Sequence, residues 1–167
     1  MIKKKVSMLG SFAVGKTSLV QQYVHSIFSD KYHTTIGVKI DQKIVRLENR
    51  EINLMLWDIH GEDDFQKVKQ AYVMGSSGYF IVIDGTRRNT LEKGIELQKM
   101  AQKVSENAPF IVLVNKADLH EEWEVTGQDI QKLEQLGMTV MKTSAKTGEQ
   151  VEAAFDRLTR MMMKTGL

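Results

Sequence analysis

The 167-residue sequence contains no cysteine and only one proline, Pro109. Without cysteine the chain can form no disulfide, no thiolate nucleophile and no cysteine-ligated metal site. The four histidines are scattered and lack the spacing of metal ligands. The formal net charge is only +2, from 23 basic and 21 acidic residues, so charge gives no indication of nucleic-acid binding.

Long hydrophobic runs are also missing from the sequence. The first ten residues, MIKKKVSMLG, have too few apolar positions for a signal peptide or a membrane span. Residue 2 is isoleucine and the chain ends in KTGL, so we expect no myristoyl or prenyl anchor. We therefore expect a cytoplasmic protein, with any contact to membranes made through a partner. The length and an average composition predict one domain, residues 1–167.

The hydrophobic pattern alternates between strands and helices. Continuous apolar runs at Tyr79–Ile83 and Phe110–Val114 are typical of strands buried on both faces of a parallel sheet. Alternating stretches at Val38–Leu47 and Ile52–Trp57 predict an antiparallel hairpin. The other predicted elements are a strand at Val6–Leu9, helices from Lys16 to about Phe28, at Thr90–Val104 with Thr90 as N-cap and at Ile130–Leu136, a strand at Met138–Met141, and a helix from Glu149 onward. This order predicts an α/β fold with a doubly wound, six-stranded, mostly parallel sheet and helices on both faces.

Residues 10–17, GSFAVGKT, fit the pattern GxxxxGK[ST] between a predicted strand and a predicted helix. Backbone amides and a helix N-terminus can form an anion cradle there, which a lysine and a hydroxyl complete. Lys16 can reach terminal phosphates, and the Thr17 hydroxyl can ligate magnesium. The alternative is a glycine-rich turn that caps an ordinary helix. We expect a phosphate loop of the P-loop NTPase type.

A second segment, NKAD at 115–118, directly follows a buried strand, at the sheet edge where open α/β sheets bind ligands. A carboxylate at Asp118 can accept hydrogen bonds from N1 and N2 of guanine, whereas adenine lacks the N2 donor and offers a lone pair at N1. Asp118 alone could also be a cap or a turn residue. A third segment, SAK at 144–146, follows the last strand and can reach the same crevice beside Asn115. Together these segments favour a guanine-binding site.

These segments, with TTIG at 34–37 and WDIHG at 57–61, occur in an order that resembles the Ras-superfamily small GTPases over nearly the whole chain. The stretches YHTTIGV at 32–38 and LWD at 56–58 are most similar to the Rab branch. The resemblance implies a molecular switch that binds GTP or GDP with magnesium and hydrolyses GTP. It also implies an effector, an exchange factor and a GTPase-activating protein that bind through two switch segments.

The resemblance assigns roles residue by residue. It implies that Thr35 ligates magnesium and senses the terminal phosphate, that Asp58 holds magnesium through water, that Gly61 donates its amide to that phosphate, and that Phe28 packs on the base. Thr35 could instead be a turn hydroxyl, Asp58 a strand-end cap and Phe28 ordinary core. The expected nucleotide contacts are Gly10, Ala13, Val14, Gly15, Lys16, Thr17, Ser18, Phe28, Thr35, Gly61, Asn115, Lys116, Asp118, Ser144, Ala145 and Lys146. The expected metal ligands are Thr17, Thr35 and Asp58, and the expected catalytic residues are Glu62, Lys16, Thr35 and Gly61.

Two residues depart from the family pattern where hydrolysis would take place. Glu62 replaces the glutamine that orients the attacking water; a carboxylate can accept from water but cannot donate to phosphoryl oxygens. Phe12 replaces a small residue and could obstruct both that side chain and an arginine finger. His60 also replaces a small residue, and we interpret it as an exposed loop histidine. These departures leave open a nucleotide-locked pseudo-GTPase scaffold, and hydrolysis is expected to be slow.

The resemblance also indicates a partner surface, because Ile40, Trp57 and Tyr72 correspond to an apolar patch that effectors contact. For Trp57, simple core packing remains an equal alternative. Arg87 and Arg88 are expected to be solvated and not to act as internal arginine fingers. An ATP-dependent phosphotransferase is disfavoured by Asp118 and by the lack of a lid-like insertion.

Overall fold

The structure is a computed structural model that describes residues 1–31, 37–59 and 66–165. Its strands are β1 (Ile2–Gly10), β2 (Val38–Leu47), β3 (Arg50–Ile59), β4 (Gly78–Asp84), β5 (Phe110–Asn115) and β6 (Val140–Lys142). Its α-helices are α1 (Lys16–His25), α2 (Gln66–Val73), α3 (Asn89–Val104), α4 (Gly127–Gln135) and α5 (Val151–Thr165), with a 3-10 turn at His120–Glu122. The described part of the chain thus alternates strand and helix after the β2–β3 hairpin.

The six strands form one sheet in the order β2-β3-β1-β4-β5-β6. Only β2 and β3 are antiparallel, with Leu47 paired to Arg50 beside a tight turn, while the other neighbouring strands are parallel. The predicted six-stranded, mostly parallel sheet is therefore confirmed. Asp84 pairs with Asn115 at the carboxyl ends of β4 and β5, which places their side chains at one edge of the sheet.

Successive side chains of a strand point to opposite faces of the sheet, so alternate residues of each central strand pack into different hydrophobic cores. Phe80 and Val82 of β4 pack with residues of α1 and α5, whereas Ile81 and Ile83 pack with residues of α3 and α4. Helices thus cover both faces of the sheet. Burial of both faces explains why the β4 sequence is a continuous apolar run.

Helix α1 is shorter than predicted. Ser26 takes a left-handed backbone conformation, φ +55°, and its N–H donates to the carbonyl of Gln22, which ends the helix at His25. Ile27 and Phe28 therefore lie beyond the helix, and both are exposed. Apolar residues at helical spacing thus continue for about one turn beyond the point where the helical backbone ends.

Thr90 does not cap α3, contrary to the prediction. The helix begins at Asn89 after Arg88, and the Thr90 hydroxyl instead accepts from the backbone N–H of Asp84 and donates to the carbonyl of Arg87. Thr90 thereby ties the start of α3 to the end of β4. A side-chain cap does exist on α4, where Thr126 and Asp129 form a reciprocal capping box.

Among the described residues, no helix is long and apolar enough to cross a membrane.

Candidate functional site

The loop at 11–15 joins the end of β1 to the start of α1. Gly15 caps α1 in a left-handed conformation, φ +104°, and a Cβ there would collide with the side-chain amide of Asn115. Glycine is therefore required by both backbone and space. The first turn of α1 has neither a side-chain cap nor an acidic residue. Its amides and the positive end of the helix dipole consequently favour an anion.

Lys16 is 7% exposed, and its ammonium lies against the loop that precedes it. Nζ donates to the carbonyls of Gly10 and Ser11, each at 2.9 Å. These bonds hold the cation at the turn between β1 and α1. The charge is thus positioned beside the amides of the helix start.

Asn115 joins the predicted base-binding segment to the phosphate loop. Its Nδ2 donates to the carbonyl of Val14 at 3.0 Å, and its Oδ1 accepts from the Thr143 hydroxyl at 3.1 Å. Both side chains are essentially buried. Sequence reasoning missed Thr143, although its position directly before SAK was a usable signal. Asn115 acts here as a brace between two loops.

Asp118 lies partly buried, with Oδ1 accepting from the hydroxyl of Ser144 at 2.7 Å. Ser144 is fully buried, and its Oγ also accepts from the backbone N–H of Thr147 at 3.1 Å. An ionised carboxylate has about four acceptor sites on its two oxygens. The Ser144 bond thus orients the carboxylate and leaves it capacity for further donors.

One cavity of about 340 Å³ collects most of the predicted nucleotide contacts. Its lining is Phe12, Ala13, Gly15, Lys16, Thr17, Ser18, Phe28, Ser29, Asp30, Lys31, Ile59, Asn115, Lys116, Asp118, Leu119, Ala145 and Lys146. Thr35 and Gly61 lie outside the described residues, and three of the predicted contacts within them do not line the cavity. Gly10 and Val14 contribute carbonyls to the braces described above, and Ser144 acts through Asp118.

Thr17 and Asp58 meet beside this cavity. The Thr17 hydroxyl donates to Oδ2 of Asp58 at 2.5 Å, and Asp58, near the end of β3, is 1% exposed. A hydroxyl and a carboxylate are hard oxygen donors, which suit Mg²⁺. Of the other predicted metal and catalytic residues, Thr35, Gly61 and Glu62 lie outside the described residues, as does His60.

Asp84 is a further part of the site that the sequence reading missed. It is 1% exposed; Oδ1 accepts from the backbone N–H and hydroxyl of Thr86, and Oδ2 pairs with Lys116 and Arg87. Burial on its own raises the pKa of the Asp84 carboxyl, but the hydrogen bonds that it accepts outweigh burial and hold the pKa below its usual value. Asp84 ends a buried apolar strand as Asn115 does, and that shared position was the available signal.

The side chains of Arg87 and Arg88 are 40% and 61% exposed, in agreement with the expectation that they are solvated, and both are also ion-paired. Arg87 pairs with Asp84 and donates to the carbonyl of Phe12 at 2.7 Å. Arg88 forms two parallel hydrogen bonds with Asp129 of α4, at 3.0 and 2.6 Å. The two neighbouring arginines therefore hold different parts of the fold together.

The predicted apolar patch is present on β2, β3 and α2. Ile40 is 44% exposed and pairs with Trp57 across the hairpin, and the Trp57 and Tyr72 rings are 6.2 Å apart. Trp57 is half-buried, and the ammonium of Lys5 lies 3.8 Å from its ring centre. Trp57 thus packs against its neighbours and still contributes to the surface.

Comparison with known proteins gives consistent matches along the chain. Residues 5–164 match the model of the Ras family. Ras-related protein Rab-4 of Dictyostelium discoideum is 34% identical over 161 residues, which cover 95% of this chain and 78% of that protein. Ras-related protein Rab-12 of Homo sapiens is 32% identical over 165 residues, 97% of this chain and 68% of that protein. Ras-related protein Rab-2B of Dictyostelium discoideum is 33% identical over 162 residues, 96% and 80% respectively.

Proposed function

This chain belongs to the Ras family and is a GTP-hydrolysing small GTPase, and from that premise we propose that the cavity between residues 12–18, 115–119 and 145–146 holds the guanine nucleotide. The observation that carries the proposal is that one cavity is lined by both the phosphate loop and the NKAD segment. Residues 1–167 then form one nucleotide-binding domain, which acts in the cytoplasm, where GTP is available.

The phosphates lie at the start of α1. The uncapped amides of the first turn donate to phosphoryl oxygens, and the helix dipole favours their charge. Lys16 exchanges its two carbonyl acceptors for the terminal phosphates, to which it makes charge-assisted hydrogen bonds. The phosphate loop therefore supplies most of the binding energy for the charged end of the ligand.

The base lies at the other end of the cavity. Asp118, oriented by Ser144, accepts from N1 and N2 of guanine. Phe28 is 38% exposed at the cavity wall and offers a ring face to the base. Lys116 and Ala145 complete the wall near this end. Adenine would leave the carboxylate opposite a lone pair, so the site selects guanine.

Magnesium is the cation that the donor set fits. Thr17 and Asp58 place two hard oxygens together beside the phosphate loop, and Thr35 is proposed as a further ligand. When bound, the ion supplies positive charge that neutralises the phosphates. The Thr17 hydroxyl gives the buried Asp58 carboxylate a hydrogen-bonding partner, which keeps the two proposed ligands side by side.

Hydrolysis is proposed to be slow in this chain. Gly61 and Thr35 are proposed to contact the terminal phosphate. Glu62 would orient the attacking water by accepting a hydrogen bond from it, but the negative carboxylate is repelled by the negative phosphoryl oxygens. Phe12 is 39% exposed at the cavity, and we propose that its ring obstructs the entry of a partner's arginine finger. Binding and transition-state stabilisation are separable, so these changes need not weaken nucleotide binding.

Three measurements test the proposal. Nucleotide that co-purifies with the protein is expected to be GDP or GTP by chromatography, and saturating GTP is expected to raise the melting temperature, because a ligand that binds only the folded state stabilises it. The GTP complex is then followed by chromatography until GDP appears. Adenine nucleotide in the pocket would contradict the base assignment, and GTP that never decays would favour the pseudo-GTPase scaffold.

Thr17→Asn is expected to weaken binding of GTP more than binding of GDP, because the change removes a magnesium ligand and GTP presents more charge to the ion. Competition against a fluorescent guanine nucleotide measures both affinities. In excess EDTA the difference between the variant and the unmodified protein should shrink. Equal losses for GTP and GDP in magnesium would argue against Thr17 as a ligand.

Glu62→Gln combined with Phe12→Gly is expected to raise the rate of partner-stimulated hydrolysis, since a finger in trans supplies about 10³ to 10⁵ in rate when it can enter the site. The affinity for GTP should stay within about tenfold, roughly 1.4 kcal/mol. Single-turnover assays with and without a candidate activating protein measure both effects. Fast hydrolysis by the unmodified protein would instead make Glu62 a water-orienting base.

A further inference from the structure

The carboxylate of Asp84 is linked, through Lys116 and Arg87, to the base-binding segment and the phosphate loop, which both line the nucleotide cavity. Its Oδ2 is 2.9 Å from Nζ of Lys116, in the base-binding segment, and 3.0 Å from Nε of Arg87. Thr86 saturates the other oxygen. Donors from Thr86, Arg87 and Lys116 thus fix the position of the Asp84 carboxylate.

The guanidinium of Arg87 extends this connection to the phosphate loop. While Nε pairs with Asp84, its Nη2 donates to the carbonyl of Phe12 at 2.7 Å. A planar guanidinium presents its donors in a rigid fork, so two acceptors held by one fork are held at a fixed separation. Phe12, Arg87, Asp84 and Lys116 therefore form a continuous bridge, and its two ends, Phe12 and Lys116, both line the cavity.

The base-binding end needs such support. Lys116 has a left-handed backbone, φ +72°, which is uncommon for a residue with a side chain and is held by its surroundings. Its ammonium is anchored to the same carboxylate oxygen as Arg87. Asn115 braces the phosphate loop separately, through the carbonyl of Val14. The Arg87 bridge is thus a second link between the two loops.

We propose that Arg87 is a positioning residue that holds the phosphate loop and the base-binding segment at a fixed separation and thereby slows release of guanine nucleotide. The inference rests on the proposed function of the cavity. Loss of the bridge lets the two walls of the cavity move independently, so the ligand leaves sooner. Most changes in affinity among related variants appear in the dissociation rate.

The test compares two neighbouring arginines. Arg87→Gln removes the bridge, whereas Arg88→Gln removes the paired hydrogen bonds to Asp129 of α4. Each variant is loaded with fluorescent GDP and magnesium, and release is followed after addition of excess unlabelled GDP. We expect release about tenfold faster for Arg87→Gln, equivalent to about 1.4 kcal/mol, and within about twofold of the unmodified rate for Arg88→Gln. Melting temperatures of the GDP-loaded proteins report general destabilisation separately.

Rescue and coupling distinguish positioning from a purely structural role. Arg87→Lys keeps a cation for Asp84 but cannot span both acceptors, so its release rate should lie between those of Arg87→Gln and the unmodified protein. In the double variant Arg87→Gln with Lys116→Ala, the two effects should combine to less than their product, because both act through Asp84.

An unchanged release rate in Arg87→Gln, or equal acceleration by both glutamine variants, would overturn the positioning role while leaving the proposed function intact. An unmodified protein that retains no guanine nucleotide would overturn the proposed function itself.

Discussion

Replacing Lys16 with alanine is expected to reduce the affinity for GDP and GTP by between about 30-fold and about 4,000-fold. Truncating one partner of a buried, hydrogen-bonded charge pair costs about 2 to 5 kcal/mol, and each 1.4 kcal/mol is about tenfold in affinity. Lys16 is 7% exposed and hydrogen-bonded at the turn before α1, so its proposed pair with the phosphates is of this buried kind. The amides of the helix start remain, so weak binding should persist.

The matched control for Lys16→Ala is Lys132→Ala, which removes an exposed lysine from α4. Titration calorimetry with GDP and magnesium measures both affinities, and circular dichroism checks that each variant is folded. Lys132→Ala should bind GDP as the unmodified protein does. Tight GDP binding by Lys16→Ala would show that the phosphates lie elsewhere.

Asp118→Asn is expected to exchange guanine specificity for xanthine specificity. The change replaces an oxygen of the carboxylate with an amide NH₂, which opposes the N2 donor of guanine but matches the C2 carbonyl of xanthine. A site built to hydrogen-bond a ligand group discriminates strongly against mismatches, so we expect GTP affinity to fall by roughly 10²-fold or more and xanthosine triphosphate affinity to rise.

Competition between GTP and xanthosine triphosphate for the same protein measures this exchange directly. Ser144→Ala is the companion variant, since it removes the 2.7 Å bond to Asp118 but keeps the carboxylate. It should weaken GTP binding by a smaller factor without admitting xanthine. Unchanged GTP affinity in Asp118→Asn would mean that the base does not contact Asp118.

Much of the fold was predictable because burial on both faces leaves a continuous apolar run and the hairpin has alternating stretches. The strand Val38–Leu47 matches the structure at both ends. Helix ends were less predictable. The left-handed turn at Ser26 and the capping box of Thr126 depend on backbone conformation and on hydrogen bonds that hydrophobic spacing does not encode. Helix α2, Gln66–Val73, was not predicted.

The candidate site was likewise predictable in part: the sequence predicted where its motifs meet but not how they are connected. Motif spacing led to the cavity because the carboxyl ends of parallel strands share one edge of the sheet, which places NKAD beside the phosphate loop. The strand-end positions of Thr143 and Asp84 were available as signals, but the partners that connect the motifs were not predictable. Thr143, Asp84 and Arg87 act through contacts fixed by register and side-chain rotamers, which a single sequence does not specify.

The indole of Trp57 can serve as an optical reporter, because charged and aromatic side chains of neighbouring elements meet at its ring. The ammonium of Lys5 lies 3.8 Å from the indole centre and also donates to the carbonyl of Met74, just after α2. Burial lowers the pKa of Lys5, so a movement that exposes the amine to water would bring that pKa back toward its usual value. The chain has only two tryptophans. The other, Trp123, lies beside Lys142 of β6, the edge strand farthest from β2. In a Trp123→Phe background, emission from the remaining indole reports how β3 and the end of α2 sit relative to each other.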